Sequence, residues 1–180
     1  MTITTIPTPA RIRAHVSWAE LYAFGNLALL DKPAVAVAGT RTPSWLGRKS
    51  AEYYARYLSQ EQEIVIVTGG ARGVDGFAHA GSCEAWIAVL AEGHPPSVTL
   101  DSGLVLSPYA PGTEWSVANA MARVRLIVAL ASVVIAVEPN PDGTGGTNET
   151  IRVAREMGRT CYVIPRVEAV ADMAKSKLLF

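Results

Sequence analysis

IVIVTGGARGVDGFAHAGSCEA, residues 64–85, runs from a β-branched segment through a glycine-rich turn into a helical pattern. Ile64–Val67 has the composition of a fully buried strand, and Thr68-Gly69-Gly70 ends it. Val74–Ala85 then reads as a helix, so the stretch is the first half of a βαβ unit. The same order recurs on both sides. AVAVA (34–38) stops at Gly39 and leads to an amphipathic stretch, Gly47–Gln60, in which Leu46, Ser50/Ala51, Tyr54 and Leu58 fall at helical spacing. Residues 86–90 and 104–107 read as strands, Glu114–Leu130 as a helix, VVIAV (133–137) as a buried strand, Thr147–Met157 as a helix and Cys161–Ile164 as the closing strand. His94-Pro95-Pro96 breaks the chain between two of the strands. Short apolar strands alternating with helices predict an α/β, Rossmann-like fold: a mostly parallel sheet with helices on both faces.

Upstream of this alternation the signals are weaker. Residues 1–16, with two prolines and scattered threonines, read as a loose lead-in. Ser17, with Glu20 placed for a capping box, predicts a short helix running to about Leu30. The expected organisation is one domain over 17–180, with no winged-helix or SAM-like domain. At 180 residues, 49% hydrophobic and 18% charged, the chain can bury one sizeable core and is not disordered. Cys83 and Cys161 lie far apart without a CxxC pair, a pattern of a reducing compartment. No signal peptide opens the chain, and Leu126–Val137 falls short of the ~20 residues needed to cross a bilayer. The expected setting is the cytoplasm.

In parallel sheets, ligands bind beyond the carboxyl ends of the strands. Three glycine-rich loops fall there, each before a helix. The first is Gly39-Thr40-Arg41 through Ser44 and Trp45 to Gly47-Arg48; the second is Thr68-Gly69-Gly70-Ala71-Arg72-Gly73, ending in Val74-Asp75; the third is Gly143-Thr144-Gly145-Gly146-Thr147. Glycines let the backbone close on an anion, and helix N-termini present free amides with partial positive charge. Thr40, Ser44, Thr68, Thr144 and Thr147 add hydroxyl donors. The expectation is a phosphate site for a nucleotide or a nucleic acid. Trp45 and Trp115 are placed either to stack on a base or to plug the edge of the core.

Other chemistries lack their patterns. There is no GxxxxGK[ST], no GxGxxG, no GxSxG elbow and no HExxH, and His15, His79 and His94 are dispersed. No metal or cofactor is expected. Sixteen basic residues balance sixteen acidic ones, so overall charge does not announce a polyanion partner. Arginine, which suits bidentate phosphate contacts, supplies every Lys/Arg position between Lys49 and Lys175.

The segments Gly25-Asn26-Leu27, Leu30-Asp31-Lys32-Pro33-AVAVAGTR, Gly47-Arg48, TGGARGVDGFAHAG, IAVL, GLVLSPYAPGT and RVRLIVALAS appear in one order between Phe24 and Pro165. In this the chain resembles the DprA/Smf family of DNA-processing proteins. The resemblance implies a Rossmann-like core, binding of single-stranded DNA, assistance to a RecA-type recombinase, self-association and no established catalytic activity. It implies that Arg41 and Arg72 face DNA phosphates, and it aligns Arg123 and Arg125 with the two arginines of the family's RNR segment, where Val124 replaces asparagine. The third loop departs from the family: GTGGTNETIRVA is nearer the nucleotide-binding SLOG relatives. Among these the LOG-type phosphoribohydrolases cleave nucleoside monophosphates with an arginine and a glutamate. Arg123 and Glu149 are the residues that this alternative implies, with Glu149 one position out of register.

Overall fold

A computed structural model describes residues 2–93 and 102–166; the His94–Pro96 break lies outside the described residues. The elements are β1 (Thr4–Pro7), β2 (Glu20–Gly25), β3 (Ala34–Gly39), α1 (Trp45–Arg56), β4 (Val65–Thr68), α2 (Val74–Gly81), β5 (Trp86–Val89), β6 (Leu104–Ser107), α3 (Val117–Ala122), α4 (Val124–Leu130), β7 (Val133–Val137), α5 (Gly145–Glu156) and β8 (Thr160–Ile164). A 3-10 turn, Leu27–Asp31, precedes β3, and a π turn, Tyr57–Glu61, extends α1. The strands form one eight-stranded sheet in the order β1-β2-β6-β5-β4-β3-β7-β8. From β6 to β8 every pairing is parallel, whereas β1–β2 and β2–β6 are antiparallel. This is the Rossmann-like α/β sheet that the strand runs predict, with an antiparallel extension at one edge.

The chain builds outward from β3 to β4 and β5 on one side, then crosses to β7 and β8 on the other. The boundary between β3 and β7 is therefore a topological switch point. Helices α1 and α2 cover one face, packing on Val35, Val37, Ile66, Ile135 and Val137. Val128 and Leu130 of α4 and Val153 and Ala154 of α5 pack against the other, around Ala36, Val65, Val67 and Val134.

Three expectations are corrected. Residues 1–16 are not a loose lead-in: Thr4–Pro7 pairs with β2, and Ile12 is fully buried. The capping-box helix after Ser17 is instead β2, where Leu21 and Ala23 are buried and their neighbours are not. Period-two burial against β6 outweighs the local capping signal. The helix expected over Glu114–Leu130 begins later and is divided at Arg123, with Ser116 Oγ capping its first part by accepting from Asn119 N at 3.0 Å.

Helix α1 is turned from the expected orientation. Its buried residues are the small ones, Gly47, Ala51 and Ala55, while Leu46 and Tyr54 are exposed. The reason lies across the interface, because a Cβ at Gly81 of α2 would collide with the carbonyl of Glu52. Backbones that approach this closely leave room only for small side chains.

Candidate functional site

At the switch point lies a cleft of about 470 Å³ bounded by the ends of β3 and β4, by α3 and α4, and by the loop into α5. Gly39, Thr40 and Arg41 form its floor, with Gly69, Ala71 and Asp75 beside them. Thr144–Thr147 close one end, and Met121, Val124 and Ile127 give it an apolar wall. A smaller hollow of about 170 Å³ shares Arg41, Gly69, Ala71, Trp115 and Arg123 with the cleft and continues to Arg72 and Glu92.

The three glycine loops are chemically unequal. At α1, the Glu138 carboxylate accepts from Ser44 N at 2.9 Å and from the Ser44 hydroxyl, while Ser44 Oγ accepts from Gly47 N at 3.1 Å. A Cβ at Gly47 would run into the Glu138 carboxyl, so glycine is what lets the acid lie against the first turn. Glu138 is only 3% exposed, and Arg166 Nη2 donates to it at 3.2 Å. Burial alone would raise its pKa, but the bonds from Ser44 and the charge of Arg166 hold it below the usual carboxylate range.

The second loop is also held by an acid. Asp75 Oδ2 accepts from Gly69 N at 3.0 Å and Ala71 N at 3.1 Å, and Gly70 N donates to Thr68 Oγ1 at 3.0 Å. Thr68 Oγ1 lies 2.7 Å from Nε2 of His79. A hydroxyl donates once and accepts twice, so either the Thr68 O–H or the His79 Nε2–H can donate across this contact. Burial pushes the His79 pKa down to about 4, so the ring is neutral near pH 7.

At the third loop an acid reaches only the cap residue. Thr144 N donates to Asp142 Oδ1 at 2.9 Å, but Thr144 makes no side-chain cap. Among the described residues no acceptor meets the first-turn amides of Gly145, Gly146 and Thr147, which border the cleft. An α-helix leaves these donors without intrahelical partners, and the macrodipole adds partial positive charge.

Arg123 crosses beneath the site, 8% exposed, with Nη1 bonded to the carbonyls of Gly69 and Val89. It ties the ends of β4 and β5 together, and its Nε is buried without a partner among the described residues. Burial lowers the Arg123 pKa, and the Asp75 charge opposes that fall. Burial in turn raises the Asp75 pKa to about 6, against the pull of its backbone donors and of Arg123 and Arg41. Arg41 is exposed, and its guanidinium lies 5.9 Å from the centre of the half-exposed Trp115 ring.

The residues singled out by sequence separate accordingly. Arg41, Gly39, Thr40, Gly69, Asp75, Arg123, Gly145, Gly146, Thr147 and Trp115 meet around the cleft. Arg72 borders its extension. Arg125 does not reach it: Nε donates to the His15 carbonyl at 3.3 Å, and Nη1 pairs with Glu156 at 2.8 Å. Residues two apart on a helix point different ways, which separates it from Arg123. Arg48 bonds the Pro43 carbonyl at 3.2 Å and lies over Phe77. Trp45 opens α1 and borders a different groove. Both carboxyl oxygens of Glu149 bond Arg152, at 2.8 and 2.7 Å, and Glu149 is not among the residues that line the cleft. Sequence reasoning missed Glu138 as an anchor; its place directly after a buried strand and before a glycine loop was the available signal.

Comparison with known proteins gives a consistent match. The family model described as DNA recombination-mediator protein A covers residues 8–179. The DNA processing protein DprA of Streptococcus pneumoniae is 36% identical over 158 residues, which are 81% of this chain and 55% of that protein. The chain thus spans about half the length of that relative. A DprA structure from Helicobacter pylori, described for its single-stranded DNA binding mode, superposes with a TM-score of 0.82 at 26% identity, covering 91% of this chain and 81% of that one. The crystal structure of the Streptococcus pneumoniae protein gives 0.79 at 32% identity, covering 91% and 63%.

Proposed function

The chain belongs to the DNA recombination-mediator protein A family, and from that premise we propose that its switch-point cleft binds the backbone of single-stranded DNA. The observation that carries this reading is the open first turn of α5, facing the cleft that Arg41 and Trp115 border. A phosphate rests on the amides of Gly145, Gly146 and Thr147, and hydroxyls of Thr40 and Thr147 are at hand. The strand continues past Arg41, with a base on Trp115, to Arg72. Arg123 supplies positive field from below while holding the second loop in shape. Nothing in this set reads base edges, so binding is independent of sequence. A duplex, with its bases turned inward, offers no face to Trp115. The Helicobacter relative's description as a single-strand binder supports the reading.

Recombination mediation is the biological role that follows: the bound strand is delivered to a RecA-type recombinase, in the cytoplasm, by a protein that self-associates. No membrane takes part, and among the described residues no helix is long and apolar enough to cross one. The same amides also suit the terminal phosphate of a free nucleotide, which is the second reading. Its hydrolytic form needs Glu149 opposite Arg123, and Glu149 is instead engaged with Arg152.

A salt titration with labelled oligonucleotides tests the proposal. Single strands should bind more tightly than duplex or free nucleotide, with log K falling linearly in log salt. Arg41→Ala or Arg72→Ala should each reduce that slope by about 0.7. Undetectable single-strand binding at low salt overturns the proposal; thermal stabilisation by a mononucleotide alone favours the second reading.

A further inference from the structure

Helix α1 hides its small residues and shows its large ones. Trp45 is 73% exposed, Tyr53 63% and Tyr57 46%, and a groove of about 450 Å³ runs along this face. Tyr53 and Tyr57 lie with their rings within 8° of parallel and 6.4 Å between centroids, and Tyr54 meets Tyr53 edge-on at 5.5 Å, so the three rings form one exposed aromatic cluster. Contiguous exposed apolar surface of this kind marks a binding site more often than an accident.

The charges bordering the rings indicate the occupant. Lys49 and Arg56 project, with side chains 58% and 55% exposed, and both lean on Glu52, which is only 29% exposed. Such solvent-exposed pairs hold weakly and exchange readily for another anion. Planar rings alternating with mobile cations are what a single nucleic-acid strand requires: π faces for any base, and positive charge for the backbone between them. The groove begins close to the cleft in the chain. Only three residues separate Arg41 from Trp45, and Arg166 Nη2 bonds the Thr42 carbonyl at 2.7 Å, placing a further guanidinium at that corner.

We propose that the outer face of α1 is a second, sequence-independent track for single-stranded nucleic acid, on which bases stack on Trp45, Tyr53 and Tyr57 while Lys49 and Arg56 hold the phosphates. The track extends the path proposed for the cleft and rests on that reading for its direction. With 12 residues it is roughly 18 Å long. It lengthens the stretch of strand held without demanding any sequence.

Two strand lengths separate the track from the cleft. Affinities of the full-length protein are measured for oligothymidylates of ~4 and ~16 nucleotides, the span of site sizes found on single-strand binders. The double variant Tyr53→Ala, Tyr57→Ala should bind the short strand as the wild type does and the long strand at least about tenfold more weakly. Lys49→Glu with Arg56→Glu should lower the salt slope for the long strand only, by about 1.4. This second pair removes no packed side chain, so it remains informative if the tyrosine variant folds poorly. Long-strand affinity unchanged in both variants overturns the track and leaves the cleft reading intact. Long-strand binding that responds to the α1 variants but not to Arg41→Ala supports the track and overturns the cleft. If the α1 variants instead convert a dimer to a monomer without altering long-strand affinity, the face is an interface between copies and the proposal fails.

Discussion

Helices α1 and α5 have 12 residues each, follow glycine-rich loops, and start from the ends of adjacent strands, β3 and β7. Their first turns nevertheless have opposite fates. Glu138, the residue that immediately follows β7, holds the α1 cap Ser44, whose Oγ accepts from Gly47 N. Thr144, held likewise by Asp142, makes no side-chain cap and leaves the amides of Gly145, Gly146 and Thr147 without an acceptor among the described residues. Both termini have the partial positive charge that attracts an anion. At α1 the cap serine answers Gly47 N, with the buried acid behind it; at α5 the first-turn amides are left to solvent or a ligand. Glycine loops at the ends of a sheet therefore do not count equally as phosphate sites; what matters is which amides the protein's own side chains already answer. Asp75 makes the same point at the second loop, where it answers the amides of Gly69 and Ala71.

The largest expected effect comes from removing the acid that closes α1. Glu138→Ala leaves the part-buried Ser44 amide without its acceptor and removes one of Arg166's partners, at a cost of about 1–3 kcal/mol in urea unfolding. The carboxyl's pKa is depressed in the folded protein, so the contribution is present above the ordinary carboxylate range and disappears as pH falls through the folded value. The difference between wild type and variant should therefore narrow in acid. The variant's α1 turn should also become available to anions, so inorganic phosphate should raise its melting temperature more than that of the wild type.

The comparison can be reversed from the other side. Gly146 has nothing within 4 Å of where a Cβ would be, so Gly146→Asp places a carboxylate at the start of α5 without a clash. This gives α5 what α1 already has. Single-strand affinity should fall by roughly tenfold, about 1.4 kcal/mol, while an acid in the first turn leaves stability equal or slightly raised. A loss of binding accompanied by a falling melting temperature would mean that the loop, not the anion seat, had been damaged.

The smallest effect concerns Asp75, whose carboxyl borders the cleft and whose pKa burial raises to about 6. A bound phosphate favours the protonated acid, so binding takes up a proton and strengthens as pH falls. Affinity should rise roughly two- to threefold from pH 7.5 to 5.5 at constant salt, and Asp75→Asn should flatten that rise. For stability the sign is the same: the folded protein holds a proton that the unfolded chain has lost between about pH 4 and 6, so this residue's contribution declines as pH rises through that window. His79 works against it. Its folded pKa of about 4 means the unfolded chain takes up the proton first as pH falls below 6.5, which costs stability in acid.

Much of the fold was legible because its signals are local. IVIV, AVAVA and VVIAV are strands whichever neighbour they pair with, and the glycines after them mark the ends. The edge of the sheet was not legible. Residues 17–30 carry a sound capping signal, yet Glu20–Gly25 is a strand, since pairing with β6 buries Leu21 and Ala23. The orientation of α1 was hidden for the same reason: the close approach of Gly81 favours its alanines over its tyrosines. Within the site, Arg41, Trp115 and the α5 glycines could be found from the motif order alone. The separation of Arg123 from Arg125 needed the helix's rotation, and the place of Glu149 outside the cleft lining needed the tertiary arrangement of α5.

By itself the sequence determined the α/β alternation, the glycine turns at the strand ends and the family to which the chain belongs, since each depends on residue types in short, ordered runs. Tertiary structure alone decided which turn stays open. Glu138 and Ser44 are 94 residues apart in the chain, and only the pairing of β3 with β7 brings that carboxylate onto the cap of α1, while the amides of Gly145, Gly146 and Thr147 have no acceptor among the described residues.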